Sequence, residues 1–162
     1  MKTVIVFYTR DGSSRVVADV LKESMPGAET IELIETRSRA GLFGFLRSGF
    51  EASRGKSSEL SGTPWTEVSE YDELYLVSPV WASKPAPALR TFLSHAALSG
   101  KTVHTVTVQA DAGFNGAEHT HAVFQDLAKA AGGKPGRSLN IHGAKIGKLA
   151  DRVHIEEQVR RL

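Results

Sequence analysis

The sequence predicts a single α/β domain, doubly wound, in which a five-stranded parallel sheet lies between two layers of helices. Apolar, β-branched runs recur along the chain, and segments with helical periodicity separate them. The 162 residues, 41% hydrophobic and 23% charged, have the apolar content for one core. Strands that alternate with helices form parallel sheets with right-handed crossovers and helices on both faces. We therefore expect one three-layer α/β/α domain over residues 1–162.

Five segments have the composition of strands, and the strongest are too continuous in apolar residues to leave one face in solvent. The predicted strands are residues 3–8, 30–34, 74–78, 102–108 and 138–142. In parallel sheets of this kind, ligands bind beyond the carboxyl ends of the strands. The loops that follow the first, third and fourth predicted strands are therefore the candidate ligand loops, namely 9–14, 79–87 and 109–116.

Four segments between the strands have apolar residues at helical spacing. The first has Ser13 or Ser14 available as its N-cap, and the second follows Pro87. The third ends near Gly132, which suits the C-terminus of a helix, and the last covers about residues 151–162. These helices supply the two outer layers.

A basic and aromatic segment joins the second and third predicted strands. Its apolar residues have helical spacing, but its glycines lower helix propensity by about 1 kcal/mol each. Residues 37–56 contain one acid, Glu51, and five basic residues, Arg37, Arg39, Arg47, Arg54 and Lys56. Two interpretations stay open. The segment is either an irregular crossover helix that packs on the sheet, or a docking surface for an acidic partner or an anionic substrate.

Composition excludes several classes of protein. The chain has no cysteine, which excludes disulfides and thiolate-held metals and is compatible with the cytoplasm. Charged residues interrupt every apolar run before the roughly 18 residues of a membrane span, so we expect none. The net charge of +2 is too small to indicate nucleic-acid binding. The N-terminal residues have the pattern of a strand, not of a signal peptide.

The loop after the first strand has the composition of an anion site. Thr9, Arg10, Asp11, Gly12, Ser13 and Ser14 supply three hydroxyl groups, a glycine and several backbone amides. A phosphate binds well there, because the first N–H groups of a helix are unpaired and its dipole favours an anion. The alternative is an ordinary capped turn. The sequence has neither G-x-x-x-x-G-K-[ST] nor a G-x-G-x-x-G after this strand, so triphosphatases and dinucleotide enzymes are not favoured.

A second segment, residues 78–93, contains Ser78-Pro79-Val80-Trp81 and ends in Phe92-Leu93. With these two segments, the chain resembles the flavodoxin family in its short form. The resemblance covers nearly the whole chain. It implies the strand order 2-1-3-4-5 and a bound flavin mononucleotide (FMN). The residues that it implies for cofactor binding are Thr9, Arg10, Asp11, Gly12, Ser13, Ser14, Pro79, Val80, Trp81, Ala82, Gln109, Asp111, Ala112 and Gly113.

Two of these residues have specific consequences. Trp81 is a candidate to stack on the flavin ring, with packing on the second helix as its alternative role. Asp11 stands where many flavodoxins have a threonine that donates to the phosphate, and a carboxylate repels a dianion. The loop of flavodoxin-like protoporphyrinogen oxidases is similar to Thr9–Gly12, so an aspartate there is compatible with FMN.

No side chain is predicted to be catalytic, and no metal site is expected. His119 and His121 are two apart on a predicted helix, so they point to different faces and do not chelate one metal. The chemistry then belongs to the cofactor. The first hypothesis is electron transfer or a small FMN-dependent oxidoreductase, with a redox protein or a small molecule as electron acceptor. The alternatives are a module for anions or partners that has lost flavin, an NAD(P)H-dependent quinone reductase and an enzyme like protoporphyrinogen oxidase.

Overall fold

The computed structural model describes residues 1–36, 57–111, 116–145 and 147–160. The basic segment 37–56 lies outside them, and so does the docking surface that was one interpretation of it. The elements are β1 (Thr3–Phe7), α1 (Ser13–Ser24), β2 (Glu29–Glu32), a single 3-10 turn (Pro64–Thr66), β3 (Glu73–Trp81), β4 (Lys84–Pro85), α2 (Pro87–His95), β5 (Thr102–Gln109), α3 (Gly116–Ala130), β6 (Lys134–His142) and α4 (Arg152–Val159).

Five strands pair in parallel in the order β2-β1-β3-β5-β6. The two-residue β4 pairs antiparallel with the end of β3 and stands outside this order. Counting the long strands alone, the order is 2-1-3-4-5, as the sequence predicts. Phe7 pairs with Val77, and Pro79 pairs with Val108. The carboxyl ends of β1, β3 and β5 therefore lie side by side.

Alternating residues of β1 enter two different cores. Val4 and Val6 pack with α2 and α3, whereas Ile5 and Phe7 pack with α1 and α4. These four side chains are at most 4% exposed. A strand with period-two side chains that is apolar on both faces must be covered on both faces. This confirms the predicted three layers.

Helix α3 ends as the sequence predicts. Gly132 has a left-handed φ of 89°, its N–H donates to Lys129 O, and the N–H of Gly133 donates to Ala128 O. This pair of bonds is a Schellman motif, which satisfies the last carbonyl groups of the helix. Within the described ranges, no helix has the length and apolarity needed to cross a membrane.

The structure moves two strand boundaries by three or more residues and the others by at most two. β3 continues past the predicted end at residue 78 to Trp81, because residues 80 and 81 pair with Pro85 and Lys84 in a tight hairpin. β6 begins at Lys134 instead of residue 138. Pro135 lies within β6, which is the last strand of the sheet, and an edge strand accepts proline.

Candidate functional site

Three loops meet at the carboxyl edge of the sheet, after β1, β3 and β5. The contact that joins the first two is between aromatic rings. Tyr8, which follows β1, meets Trp81 at the end of β3 edge-on, with 5.5 Å between ring centroids. The guanidinium of Arg10 lies 6.0 Å from the centroid of the Trp81 ring. The two segments on which the family resemblance rests are therefore neighbours in space.

The loop after β1 turns tightly into α1. The N–H of Gly12 donates to Thr9 Oγ1 over 2.9 Å. Gly12 has a φ of 96° and is the N-cap of α1. This left-handed backbone conformation favours glycine, and a Cβ here would contact only the tip of the exposed Leu149 side chain. The predicted serine cap is wrong, since Ser13 and Ser14 already lie in the first turn of the helix.

The hydroxyl of Ser13 joins this loop to the segment between β6 and α4. It donates to Lys148 O over 3.1 Å and accepts from Ala150 N over 3.2 Å. Ser13 and Ser14 are both buried. What the first turn of α1 offers a ligand is therefore its backbone N–H groups. Two of them already have acceptors in the protein, Asp11 Oδ1 for Ser13 and Gly12 O for Arg15.

The only charges within the loop 9–14 are those of Arg10 and Asp11. Their side chains form an ion pair with 3.5 Å between Nη2 and Oδ2. The Asp11 carboxylate also accepts from two backbone N–H groups, those of Ser13 at 3.5 Å and Gly147 at 3.3 Å. The negative side chain thus faces the N-terminus of α1, as the dipole of the helix favours.

The hairpin of β3 and β4 holds Trp81 at the sheet edge. Its turn residues, Ala82 and Ser83, have φ values of 48° and 59°, which side-chain-bearing residues rarely adopt. The hydroxyl of Ser78 braces the hairpin by accepting from Ala86 N over 2.9 Å. Trp81 is partly buried and packs against the core formed with α2 and α3. Pro79 and Val80 are also partly buried.

The third loop begins at Gln109, the last residue of β5. Gln109 is buried, and its Nε2 donates to Asp111 O over 2.8 Å. The carbonyl of Gln109 accepts from Ala144 N, which ties the loop to the segment after β6. Asp111 is exposed. The predicted site residues Ala112 and Gly113 lie outside the described residues.

Two features of this edge were missed in the sequence. Tyr8 donates from its hydroxyl to Glu35 Oε2 over 3.0 Å, beside Trp81. Residues 147–150 contact Asp11, Gly12 and Ser13, more than 130 positions away. No local pattern marks either contact, although an aromatic residue that ends a buried strand next to a polar loop was a signal for Tyr8.

Two of the histidines lie on α3, and a third, His142, ends β6 and pairs with Gln109 at this edge. His119 is exposed on α3, whereas His121 faces β5, and burial lowers its pKa to about 4. Among the residues that the structure describes, no group of three His, Asp or Glu side chains is placed to hold a metal ion.

No protein-family model matches the chain, and a comparison with curated protein sequences finds no similar one. Solved structures do match it. A candidate flavoprotein from Bacteroides uniformis superposes with a TM-score of 0.75 at 19% identity, covering 98% of this chain and 97% of the other. A flavoprotein from Lactobacillus acidophilus, solved in complex with FMN, has a TM-score of 0.67 at 18% identity and covers 86% and 92%.

Flavodoxin 1 from Bacillus cereus, in its oxidised form, has a TM-score of 0.56 at 13% identity and covers 99% of this chain and 94% of its own. With the strand order and the two helical layers, these matches define the class. The chain has the flavodoxin-like fold.

Proposed function

We propose that this protein binds FMN at the carboxyl edge of its sheet and acts in electron transfer or as a small FMN-dependent oxidoreductase. The observation that carries the proposal is the contact of Tyr8 and Arg10 with Trp81. It brings the first turn of α1 and the partly buried Trp81 to one edge of the sheet. A ligand with a phosphate at one end and a flat ring at the other matches that pair of features.

The residues present fit FMN in most respects. The first turn of α1 and the left-handed Gly12 are suited to the phosphate. Trp81, with Pro79, Val80 and Ala82 beside it, is suited to the flat ring. Backbone groups after β5, at Gln109 and Asp111, are suited to its polar edge.

The FMN-bound structure from Lactobacillus acidophilus supports the proposal through the shared fold. When bound, FMN supplies the redox chemistry, and the side chains named here hold and surround it. Arg10 also compensates negative charge. Its charge lies between the Trp81 ring and Asp11, where it offsets negative charge next to the anion site. The neutral side chains of Gln109 and Trp81, if they lie beside the flavin ring, would influence its redox potential without taking part in proton transfer.

The test is the visible spectrum of the purified protein and chromatography of any flavin that it releases. We expect a yellow protein that releases FMN, or a colourless one that takes up added FMN with micromolar or tighter affinity. A protein that stays colourless and binds no added FMN overturns the proposal.

Anaerobic mixing with NADH or NADPH then separates the two roles. A reductase bleaches without help, whereas an electron-transfer protein requires a partner enzyme. Oxidised FMN-loaded protein that bleaches with one nicotinamide cofactor alone would assign the oxidoreductase role.

A further inference from the structure

The Asp11 carboxylate lies where a phosphate would bind at the N-terminus of α1. One oxygen, Oδ1, lies 3.5 Å from the N–H donor of Ser13, and the other, Oδ2, lies 3.3 Å from that of Gly147. Gly147 belongs to the segment between β6 and α4, so a single carboxylate bridges two loops. The side chain is 28% exposed. It therefore stands at the surface, on the route by which a ligand reaches these amides.

A phosphate at this position would use the same hydrogen-bond donors and the same positive charge as the Asp11 carboxylate. Both are anions, both accept from the N–H groups of the first turn, and both are favoured by the positive end of the helix dipole. Arg10, the cation of the loop, is 3.5 Å from Asp11 Oδ2 and is shared in the same way. Binding one anion therefore disfavours the other.

The Asp11 contacts are weak enough to be displaced. Charge-assisted bonds from N–H donors to carboxylates are usually about 2.7–2.9 Å long, and those of Asp11 are longer. The carboxylate is held by its position and charge more than by strong hydrogen bonds. A dianion can take its place. Its affinity is then reduced, either by the free energy needed to displace the Asp11 side chain or by repulsion from a carboxylate that stays nearby.

We propose that Asp11 is a specificity-determining residue that competes with the 5′-phosphate of the flavin and so reduces the preference for FMN over riboflavin. The inference rests on the proposed function, since it concerns the phosphate end of the same site. It concerns only how much the phosphate contributes to the affinity for FMN. The proposed function concerns flavin binding as a whole, including the ring.

The experiment compares the Kd of FMN and of riboflavin in wild-type protein and in Asp11→Asn. Asparagine keeps one oxygen, for the amide of either Gly147 or Ser13, loses the charge and gains a donor for phosphate. We expect the Kd of FMN to fall about tenfold, which corresponds to about 1.4 kcal/mol. Riboflavin has the same ring and no phosphate, so its Kd should stay within about twofold of wild type.

Asp19→Asn is the matched control. Asp19 is an exposed residue of the same helix, two turns further along, and its substitution makes the same change in net charge. It should leave the ratio of the two Kd values unchanged. Asp11→Ser, which also removes the charge, provides a second variant should Asp11→Asn fold poorly.

The proposal is overturned if FMN and riboflavin bind but the ratio of their Kd values is the same in wild type and Asp11→Asn. It is also overturned if Asp19→Asn changes the ratio as much. If neither flavin binds any variant, the proposed function fails, and inorganic phosphate then decides on Asp11 by itself. Competition predicts that the backbone N–H signals of Ser13 and Gly147 respond to phosphate at lower concentration in Asp11→Asn than in wild type. Equal responses, or none, contradict it.

Discussion

His121 on α3 and Thr105 on β5 are joined by a hydrogen bond of 2.7 Å between Nδ1 and Oγ1. The other ring nitrogen, Nε2, lies 3.2 Å from Thr107 Oγ1. Thr105 and Thr107 continue the network to Ser138 and Asn140 on β6. A histidine thus joins α3 to buried polar side chains of β5 and, through them, to β6.

The burial of His121 predicts a dependence of stability on pH. Burial lowers the pKa of His121 from its ordinary 6.5 to about 4 in the folded protein. Between these values the unfolded chain binds more protons than the folded one, so stability falls as the pH falls from about 6.5 towards about 4. We expect His121→Gln to reduce this loss. The slope of the free energy of unfolding against pH should fall by an amount equivalent to at most about one bound proton. Urea unfolding at pH 7 and pH 5 measures it.

The matched control for His121 is His119→Gln. His119 is exposed on the same helix, and its substitution should leave the pH dependence as in wild type. A lower stability of His121→Gln at pH 7 does not bear on the prediction, which concerns the difference between the two pH values. A difference as large as that of wild type would contradict it.

Gly136 on β6 is expected to tolerate no side chain. A Cβ there would lie 2.6 Å from Nδ1 and 2.7 Å from Cε1 of His104. That ring cannot move aside, because Glu73 Oε1 holds its Nε2 at 2.7 Å and the N–H of Arg137 holds its Nδ1 at 2.8 Å. Overpacking of this kind costs about 1–3 kcal/mol, so Gly136→Ala should lower the free energy of unfolding by that amount.

A double-mutant cycle tests the reason for that loss. His104→Ala makes room for a methyl group at residue 136, although it breaks the bond to Glu73. We expect the double variant to be more stable than the sum of the single losses predicts, by at least about 0.5 kcal/mol. Strict additivity would show that the loss in Gly136→Ala does not come from the His104 ring.

The sequence predicts the layers of this fold well, because they depend on local periodicity. Val17 and Leu21, four residues apart and so on one face of the first helix, are both buried against the sheet. The strand order follows from the resemblance carried by the loops. The N-cap of α1 was mispredicted for a local reason. Serine is the commoner cap, but the left-handed turn at residue 12 gives that position to Gly12.

The candidate site is predictable only in part, since its geometry depends on contacts between distant segments. Asp11 was identified as a departure in the loop, but its contact with Gly147 spans 136 residues and has no pattern in the sequence. The hairpin that carries Trp81 was also hidden. A turn with two positive φ values is usually marked by Asn or Gly, and here its residues are Ala82 and Ser83.

Ser13→Ala is expected to loosen the segment between β6 and α4. The hydroxyl donates to Lys148 O and accepts from the buried N–H of Ala150. Alanine removes this hydrogen-bond partner from both backbone groups. An orphaned buried polar group costs about 1–3 kcal/mol. Hydrogen exchange should show faster exchange of the Ala150 amide, together with a lower free energy of unfolding. Ser24→Ala, which removes a half-exposed hydroxyl bound to Leu21 O at the other end of α1, is the control and should leave the Ala150 amide unchanged.

Trp81→Leu is expected to weaken FMN binding through loss of ring stacking. An aromatic pair contributes about 0.5–1.5 kcal/mol beyond its buried area, which corresponds to a rise of about two- to tenfold in the Kd. The chain has one other tryptophan, Trp65, which is also partly buried against the core formed with α2 and α3. Trp65 stacks on His95 with 4.5 Å between centroids, away from the three loops, so Trp65→Leu is a matched control. Its Kd for FMN should equal that of wild type, once both variants are shown to be folded by circular dichroism. Equal Kd values for the two variants would remove Trp81 from the site and leave the indole as a packing residue that closes the edge of the core.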